Sequence, residues 1–238
     1  MTFHKPRLLD LFCGAGGASE GYRRAGFDVY GVDLSPMRHY PFPFFQGDAI
    51  AALQALIAGE VVGFRHWNVP GANESWAVED LTLTDFDAIH ASPPCQAYSV
   101  TKHVHSAQYP KLIEPLRELL LEATQFYIIE NVLGAPLRHP ITLCGAMFGL
   151  KTYRHRLFEC DWIAHAPVHP PHDWKVAKMG RPAAPDEFIS VVGHYSGKAA
   201  AEAAMDIDWM SRDELAEAIP PAYTAHLGAQ LLAGLGLT

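Results

Sequence analysis

The chain has 238 residues, 49% of them hydrophobic, and a formal net charge of −8. This length and composition predict one α/β domain with a small appendage, and no apolar run is long enough to predict a membrane span. The negative charge argues against broad, non-specific binding to nucleic acid, because phosphate contacts favour a basic surface.

Apolar runs alternate with amphipathic segments, which predicts strands alternating with helices. The predicted strands are, in chain order, 7–12, 27–32, 44–45, 86–91, 126–129, 156–160 and 187–193. The predicted helices are 18–25, 50–57, 111–124, 211–218 and 223–235, and segments 58–82 and 161–187 are expected to be irregular. This order predicts a doubly wound, Rossmann-like parallel sheet formed by 1–160 and 211–238, with a small irregular appendage at 161–210.

A glycine-rich turn with the sequence DLFCGAGG, residues 10–17, follows the first predicted strand. Gly14, Gly16 and Gly17 allow the backbone to approach a ligand closely at a helix N-terminus, although the spacing is not GxGxxG. Asp33 ends the second predicted strand, where a carboxylate can accept hydrogen bonds from both ribose hydroxyls. The turn alone could be purely structural, but Asp33 and Asp48 at two strand ends favour a nucleotide cofactor.

A cysteine and an acid follow two other predicted strands. Cys95 stands in SPPCQ after strand 86–91, and Glu130 stands in ENV after strand 126–129. The carboxyl ends of parallel strands meet at one edge of a sheet, so a thiol and a carboxyl there can act on the same ring. The alternatives are a buried apolar cysteine and a carboxylate that caps a strand end. Together with the glycine turn, the pair predicts a transferase that acts on a base.

A nucleophilic Cys95 needs positive neighbours, because an unperturbed thiol with a pKa of about 8.5 is only slightly ionised at neutral pH. Arg154 and Arg156 are candidates, with a solvated basic patch as the alternative. They lie in segment 151–181, which holds six Lys/Arg against three acids and is therefore locally basic by +3. A nucleic-acid partner is compatible with the acidic chain if it meets only this stretch.

A possible metal site overlaps the same stretch. The side chains that form a C-x4-H-x3-H-x2-H pattern are Cys160, His165, His169 and His172. This spacing matches no strong zinc pattern and prolines interrupt it, so we predict loop histidines and no metal.

The four cysteines form no CxxC pair, which fits a reducing cytoplasm better than a disulfide framework. The N-terminal residues lack the features of a signal peptide. We therefore expect a cytoplasmic protein.

Four blocks occur in the order typical of one enzyme family: DLFCGAGG at 10–17, PCQAYS at 94–99, ENV at 130–132 and RHR at 154–156. On these blocks the chain resembles the cytosine-C5 DNA methyltransferases, as a small phage- or bacterial-type member. The resemblance covers about residues 7–160. The sequence IPPAYT at 219–224 is a weaker match to the last cofactor-side motif of the family.

The resemblance implies S-adenosylmethionine as cofactor, released as S-adenosylhomocysteine. In it, Phe12 would stack on the adenine, Asp33 would hold the ribose, and Asp48 with Ala49 would read the adenine edge. The full set of residues implied to bind the cofactor is Phe12, Gly14, Ala15, Gly16, Gly17, Asp33, Leu34, Asp48, Ala49, Pro94 and Tyr223.

The resemblance also implies a covalent mechanism on a cytosine flipped out of double-stranded DNA. Cys95 would attack C6, Glu130 would bind N3 and the exocyclic amine, and Arg156 would contact O2. Arg154 would orient a loop at 96–105 and a phosphate. The residues implied to contact DNA are Gln96, Ser99, Lys102 and Arg154. The family habit implies a monomer.

The sequence departs from the family pattern in three places. Thr152 and Tyr153 replace a Gln and a basic residue, prolines at 220–221 replace a Gly-Asn pair, and the recognition segment 161–210 is short. We therefore expect a short or relaxed target site of about two or three base pairs. Three alternatives stay open: a cytosine-C5 methyltransferase of RNA, an enzyme of free cytosine nucleotides, and a non-catalytic DNA- or cofactor-binding module. The biological role, restriction or viral self-marking among others, is also open.

Overall fold

The computed structural model describes residues 5–66, 77–96, 98, 110–178 and 180–237. Its nine strands form one sheet in the order β5-β4-β3-β2-β1-β6-β7-β9-β8. The strands are β1 (Arg7–Leu11), β2 (Asp28–Asp33), β3 (Phe44–Gln46), β4 (Val62–His66), β5 (Ala77–Leu81), β6 (Ala88–Ala91), β7 (Phe126–Asn131), β8 (Ile141–Leu143) and β9 (Arg156–Cys160). The helices are α1 (Gly17–Ala25), α2 (Ala49–Ile57), α3 (Ile113–Ala123), α4 (Lys198–Met205), α5 (Arg212–Glu217) and α6 (Pro221–Gly234).

The sheet is parallel at its centre and antiparallel at both edges. Strands β3, β2, β1, β6 and β7 pair in parallel, as predicted. On one side β4 pairs antiparallel with β3 and β5, and on the other side β9 pairs antiparallel with β7 and β8. The antiparallel edges were not predicted, and β4 and β5 lie in a segment expected to be irregular. The strand order reverses beside β1, which places a ligand crevice at the carboxyl ends of β1 and β6.

Two helical layers cover the two faces of the sheet. Leu9 and Leu11 of β1 pack with residues of α2 and α3, whereas Leu8 faces the layer of α1 and α6. All three leucines are fully buried, which fits a central strand covered on both faces. The apolar run of β1 is therefore explained by burial on both sides.

Helices α1 and α6 are in close contact behind the glycine turn. A Cβ at Gly21 would lie 2.0 Å from Thr224 Oγ1 and 2.1 Å from the Pro221 carbonyl oxygen, so only glycine fits there. Pro221 is the first residue of α6, where its missing N–H costs no hydrogen bond. The C-terminal helix is thereby fixed against the helix that the glycine turn begins.

Residues 183–218 build a third apolar cluster beside the sheet. Ile189, Tyr195, Met205 and Leu215 are buried in it, together with Ala15 of the glycine turn. The predicted strand at 187–193 is wrong, because the described residues there form only one bridge, between Val176 and Phe188. Helix α5 begins with a capping box formed by Ser211 and Glu214. The division into domains at 161 and 210 stays a prediction.

In the described ranges, no helix combines the length and the apolar composition that crossing a bilayer requires.

Candidate active site

The residues that follow β6 and β7 lie at the same edge of the sheet. Ala91 of β6 pairs with Ile129 of β7, so Cys95 and Glu130 leave neighbouring parallel strands. Asn131 Nδ2 donates a hydrogen bond of 2.8 Å to the Pro93 carbonyl oxygen and fixes the turn before Cys95 against the end of β7. The structure thus brings Cys95 and Glu130 to the same edge of the sheet, and their shared action on one ring stays a prediction.

Glu130 is a buried acid with one cationic neighbour in close contact. Its Oε1 lies 3.1 Å from Arg156 Nε, and its side chain is 7% exposed. Burial raises the pKa of Glu130, although Arg156, Arg154 and a hydrogen bond from Ser92 oppose the shift. Among the described residues, Oε1 has no hydrogen-bond partner of good geometry. Glu130 therefore has a buried oxygen free for a ligand and an increased tendency to hold a proton.

A hydrogen-bonded chain leads from the core to Glu130. Tyr22 Oη lies 2.9 Å from His90 Nδ1, and His90 Nε2 lies 2.8 Å from Ser92 Oγ. Burial lowers the pKa of His90 to about 3, so its imidazole is neutral. If Ser92 donates to Glu130, then Ser92 Oγ accepts from His90 Nε2–H, and His90 Nδ1 accepts from Tyr22. Sequence reasoning missed this chain, although a histidine inside an apolar strand is a signal for it.

Cys95 is half-buried and lies in the electric field of both neighbours. Burial raises the pKa of its thiol, Arg156 lowers it, and Glu130 and Glu217 raise it. Arg156 is thus the positive partner that a thiolate requires, as predicted. The raised pKa favours the thiol form of Cys95.

Arg154 lies inside the protein and not at a surface that a phosphate could reach. Its Nη1 donates to the Val191 carbonyl oxygen at 2.5 Å and its Nη2 to the Ala216 carbonyl oxygen at 2.8 Å. Burial lowers the pKa of Arg154 to about 9. These contacts argue against the predicted phosphate contact. They join segment 183–218 to the strand edge that carries Cys95 and Glu130.

The glycine turn is shaped to approach a ligand at the end of β1. Gly14 and Gly16 have φ of 50° and 90°, which favour glycine, and Gly16 caps α1. Asp33 Oδ2 accepts from Gly14 N at 3.0 Å, and Asp33 Oδ1 accepts from Ser35 N at 2.9 Å. The glycine turn and Asp33 are therefore in direct contact, and the cofactor predicted to bind both stays a prediction. Leu34, which follows Asp33, is 69% exposed and provides an apolar surface at this strand end.

Several residues that the resemblance implies bind the cofactor contact other parts of the protein. The Ala15 carbonyl oxygen accepts from Trp209 Nε1 at 2.9 Å, and a Cβ at Gly17 would lie 2.5 Å from the Ile219 carbonyl oxygen. Asp48 is exposed and caps α2 by accepting from Ala51 N at 2.9 Å, directly before the buried Ala49. The turn is thus supported from behind by the C-terminal segment.

Tyr223 is buried in the core, and the cofactor contact implied for it stays a prediction. Its side chain is fully buried between α6 and the sheet, and its hydroxyl donates to the Arg154 carbonyl oxygen at 2.8 Å. The neighbouring Thr224 donates to the Ala18 carbonyl oxygen at 2.8 Å. The C-terminal motif therefore packs α6 against α1 and the Arg154 segment.

Sequence reasoning gave no role to Asp10, which lies beneath the turn. Asp10 is fully buried, accepts a hydrogen bond from Ser19, and has an Oδ1 without a partner among the described residues. Burial raises its pKa from 3.8 to about 7, with Asp33 and Glu130 adding to the shift. Three carboxyl groups thus lie close together under the crevice.

We expect Asp10→Asn to change the pH dependence of stability. The unfolded chain loses this proton near pH 4 and the folded chain near pH 7, so the stability that the neutral carboxyl contributes is full below about pH 4 and is lost as the pH rises to about 7. The variant cannot ionise and should be more stable than the wild type at pH 8, by up to about 4 kcal/mol. Urea unfolding at pH 4.5 and pH 8 measures the difference, and an equal effect at both values would contradict the assignment.

The predicted DNA contacts are described only in part. Gln96 is exposed beside Cys95, while Ser99, Lys102 and most of the predicted loop 96–105 lie outside the described residues. The four residues of the C-x4-H-x3-H-x2-H pattern do not form one group among the described residues, because Cys160 packs in an apolar cluster and the His165 backbone is hydrogen-bonded to Gln230.

No protein-family model matches the chain. It is 25% identical over 134 residues to the type II methyltransferase M.DdeI of Desulfomicrobium norvegicum (strain DSM 1741 / NCIMB 8310), which covers 53% of this chain and 28% of that protein. It is 26% identical over 133 residues to the type II methyltransferase M.XorII of Xanthomonas oryzae pv. oryzae, covering 55% of this chain and 29% of the relative. The match to mouse DNA (cytosine-5)-methyltransferase 1 is 26% over 142 residues, covering 54% of this chain and 8% of the relative. The chain therefore spans less than a third of the length of the curated relatives it matches.

Solved structures share the fold along almost the whole chain. The S. pombe Dnmt2 methyltransferase has a TM-score of 0.60 at 12% identity and covers 98% of this chain and 99% of its own. A prophage-encoded DNA modification methyltransferase from E. coli has a TM-score of 0.55 at 14% identity and covers 97% and 99%. Over about half of its length the chain is thus similar in sequence to type II methyltransferases and to a DNA (cytosine-5)-methyltransferase, and it shares the Rossmann-like α/β fold of the two solved structures.

Proposed function

We propose that this chain transfers a methyl group from S-adenosylmethionine to C5 of cytosine in DNA, through a transient bond between Cys95 and C6. The observation that supports this most directly is the pairing of a half-buried thiol with a buried acid at one strand edge. Glu130 Oε1 has no hydrogen-bond partner among the described residues, so the N3–amine edge of a cytosine can satisfy it. The two groups lie on the crevice that begins at the glycine turn.

The residues around Asp33 fit the proposed cofactor. Both Asp33 oxygens are oriented by backbone N–H groups and keep lone pairs for two ribose hydroxyls. The exposed Leu34 and the half-buried Phe12 would flank the adenine, with Pro94 bordering the same crevice. When bound there, S-adenosylmethionine supplies an electrophilic methyl group. Asp48 and Ala49 stay candidates for the adenine edge.

The first chemical step makes the ring nucleophilic. The Cys95 thiol gives its proton to solvent beside Arg156, and the thiolate sulfur forms a bond to C6. The electron pair of the C5–C6 double bond moves through the ring, and N3 takes the proton that Glu130 holds. A protonated Glu130 is favoured by its raised pKa, and Arg156 is placed to contact O2.

The remaining steps restore the enzyme. C5 takes the methyl group, then loses its proton to solvent, and the resulting electron pair expels the Cys95 sulfur. N3 returns its proton to Glu130. Because C5 and C6 lie inside the stack of a duplex, the base must first be flipped out, at a cost of a few kcal/mol. Gln96, Ser99 and Lys102 are proposed to contact the DNA that remains.

We propose Ser92 as a positioning residue for Glu130. Its hydrogen bond lowers the pKa of Glu130, so Ser92→Ala should raise that pKa further and shift the acidic limb of kcat/KM to higher pH. Loss of one charge-assisted hydrogen bond should also reduce kcat about tenfold. Ser92→Thr keeps a hydroxyl and should restore the wild-type pH profile. A Ser92→Ala enzyme whose acidic limb does not move would contradict this role.

A substrate panel tests the proposed function. The purified chain is incubated with methyl-labelled S-adenosylmethionine and cytosine-containing duplex DNA, single-stranded DNA, RNA or dCMP. We expect label at C5 of cytosine in the duplex. Label that enters only RNA or dCMP would replace the substrate class, and absence of transfer to all four would favour a non-catalytic binding module. Sequencing of the methylated duplex then measures the target site, and a single site of six or more base pairs would contradict the short site expected here.

A further inference from the structure

Four side chains outside the proposed active site come together at the β8–β9 edge of the sheet. They are the buried Cys144, the half-buried His155, and the exposed His169 and His172. One sulfur and three imidazole nitrogens lie within 4.8 Å of one another. Within the part of the chain that the structure describes, this is the one such group of metal-ligating side chains.

Two of the distances between these atoms match those around a tetrahedral ion. His155 Nε2 lies 3.2 Å from His169 Nε2, and Cys144 Sγ lies 3.5 Å from His172 Nε2. With Zn–N of about 2.0 Å and Zn–S of about 2.3 Å, tetrahedral geometry places two nitrogens about 3.3 Å apart and a nitrogen and a sulfur about 3.5 Å apart. The two observed pairs therefore already have the separations of zinc ligands.

The surroundings fix the ligand atoms in the form that binds a metal. His169 Nδ1 lies 2.7 Å from the Pro170 carbonyl oxygen, so Nδ1 carries the proton and Nε2 keeps its lone pair. His172 is held by stacking on Tyr153, with ring centroids 3.7 Å apart. The Met147 N–H donates a hydrogen bond of 3.0 Å to the Cys144 carbonyl oxygen and so fixes the turn that carries the thiol.

The donor set supports the same conclusion. Three imidazole nitrogens and one cysteine sulfur form a closed set of four ligands, typical of a structural zinc site.

We propose that Cys144, His155, His169 and His172 bind one structural Zn²⁺. Cys144 precedes a short 3-10 turn at Gly145–Phe148, and His155 precedes β9, while the other two ligands lie in the segment after β9. The ion would tie residues 169–172 to the strand edge from which Arg156 reaches Glu130. The predicted absence of a metal, based on Cys160 and His165, is replaced by this different set of ligands.

Metal content and Co²⁺ spectroscopy of the full chain test the proposal without any measurement of activity. After exhaustive dialysis, we expect one Zn²⁺ per chain, and chelation should lower Tm by more than about 4 °C. Replacement by Co²⁺ should give the visible bands of a tetrahedral ion together with a thiolate-to-cobalt charge-transfer band. Chains that bind no zinc, or a cobalt spectrum without the thiolate band, would overturn the site and leave a plain His155–His169 hydrogen bond.

Matched variants separate these ligands from their neighbours. His169→Ala replaces an exposed side chain, so it should leave the core intact while weakening zinc binding at least about 100-fold. Cys144→Ser should remove the charge-transfer band. His165→Ala lies in the same loop and should keep both zinc and the cobalt spectrum. Equal loss of zinc in His165→Ala and His169→Ala would contradict the assignment.

Discussion

Replacement of Cys95 by alanine is expected to reduce methyl transfer by about 10⁴-fold or more, because it removes the atom that forms the bond to C6. Cys95 is half-buried at the end of a turn that Asn131 holds in place, so the variant should fold and keep its cofactor affinity. Single-turnover rates with labelled cofactor measure the loss, and Tm and cofactor binding report on the fold.

Cys160→Ser is the matched control for Cys95→Ala. Cys160 is also a free cysteine, but it is the last residue of β9 and packs against the apolar cluster that contains residues of α1 and α6. We expect its rate to stay within about threefold of the wild type. A Cys95→Ala enzyme with a rate near that of this control would show that another group performs the attack.

Glu130→Gln is expected to lower kcat/KM by about 10²- to 10⁴-fold, the usual contribution of a positioned acid. Burial raises the pKa of both Glu130 and Cys95. The active form of the pair is a protonated Glu130 with a Cys95 thiolate. This form holds the same number of protons as a Glu130 carboxylate with a Cys95 thiol, so pH does not change the ratio between the two forms. The wild-type kcat/KM should therefore be flat between the two pKa values and fall on either side. In the variant only Cys95 titrates, so the rate should rise with pH up to the pKa of the thiol.

Glu217→Gln is the matched control for Glu130→Gln. The exposed Glu217 is also among the groups that raise the pKa of Cys95, but no contact places it at the ring. We expect a rate within about threefold of the wild type and an unchanged shape of the pH profile. If Glu130→Gln kept the wild-type plateau, the assignment of Glu130 as the acid would be wrong.

The central fold and the catalytic edge could be predicted because their signals are local. Apolar runs that end in Asp33, Cys95 and Glu130 mark buried parallel strands, and the carboxyl ends of such strands meet by geometry alone. The convergence of these groups, and the contact of Arg156 with Glu130, follow from strand order. The edge strands β4, β5 and β8 are short or polar and carry little periodic signal.

Other features depended on long-range packing that a local pattern does not contain. Arg154 and Tyr223 have polar tips, yet both are buried. The two Arg154 Nη atoms and the Tyr223 hydroxyl bond backbone groups distant in sequence, while Arg154 Nε has no partner among the described residues. The proposed zinc ligand Cys144 follows β8, whereas His169 and His172 lie in the segment after β9. A pattern read from spacing along the chain therefore contained Cys160 and not Cys144. Helix α4 was missed although its sequence KAAAEAAM has high helix propensity, a signal that was available.

Mass spectrometry of a trapped complex tests the central claim most directly. The chain is incubated with S-adenosylmethionine and a duplex that carries 5-fluorocytosine at the target position, where fluorine blocks the loss of the C5 substituent. We predict a covalent adduct whose mass shift maps to the peptide that contains Cys95 and that requires the cofactor for methyl addition. An adduct that forms equally in Cys95→Ala, or methylation of ordinary duplex without any trapped adduct, would contradict a bond between this sulfur and the pyrimidine ring.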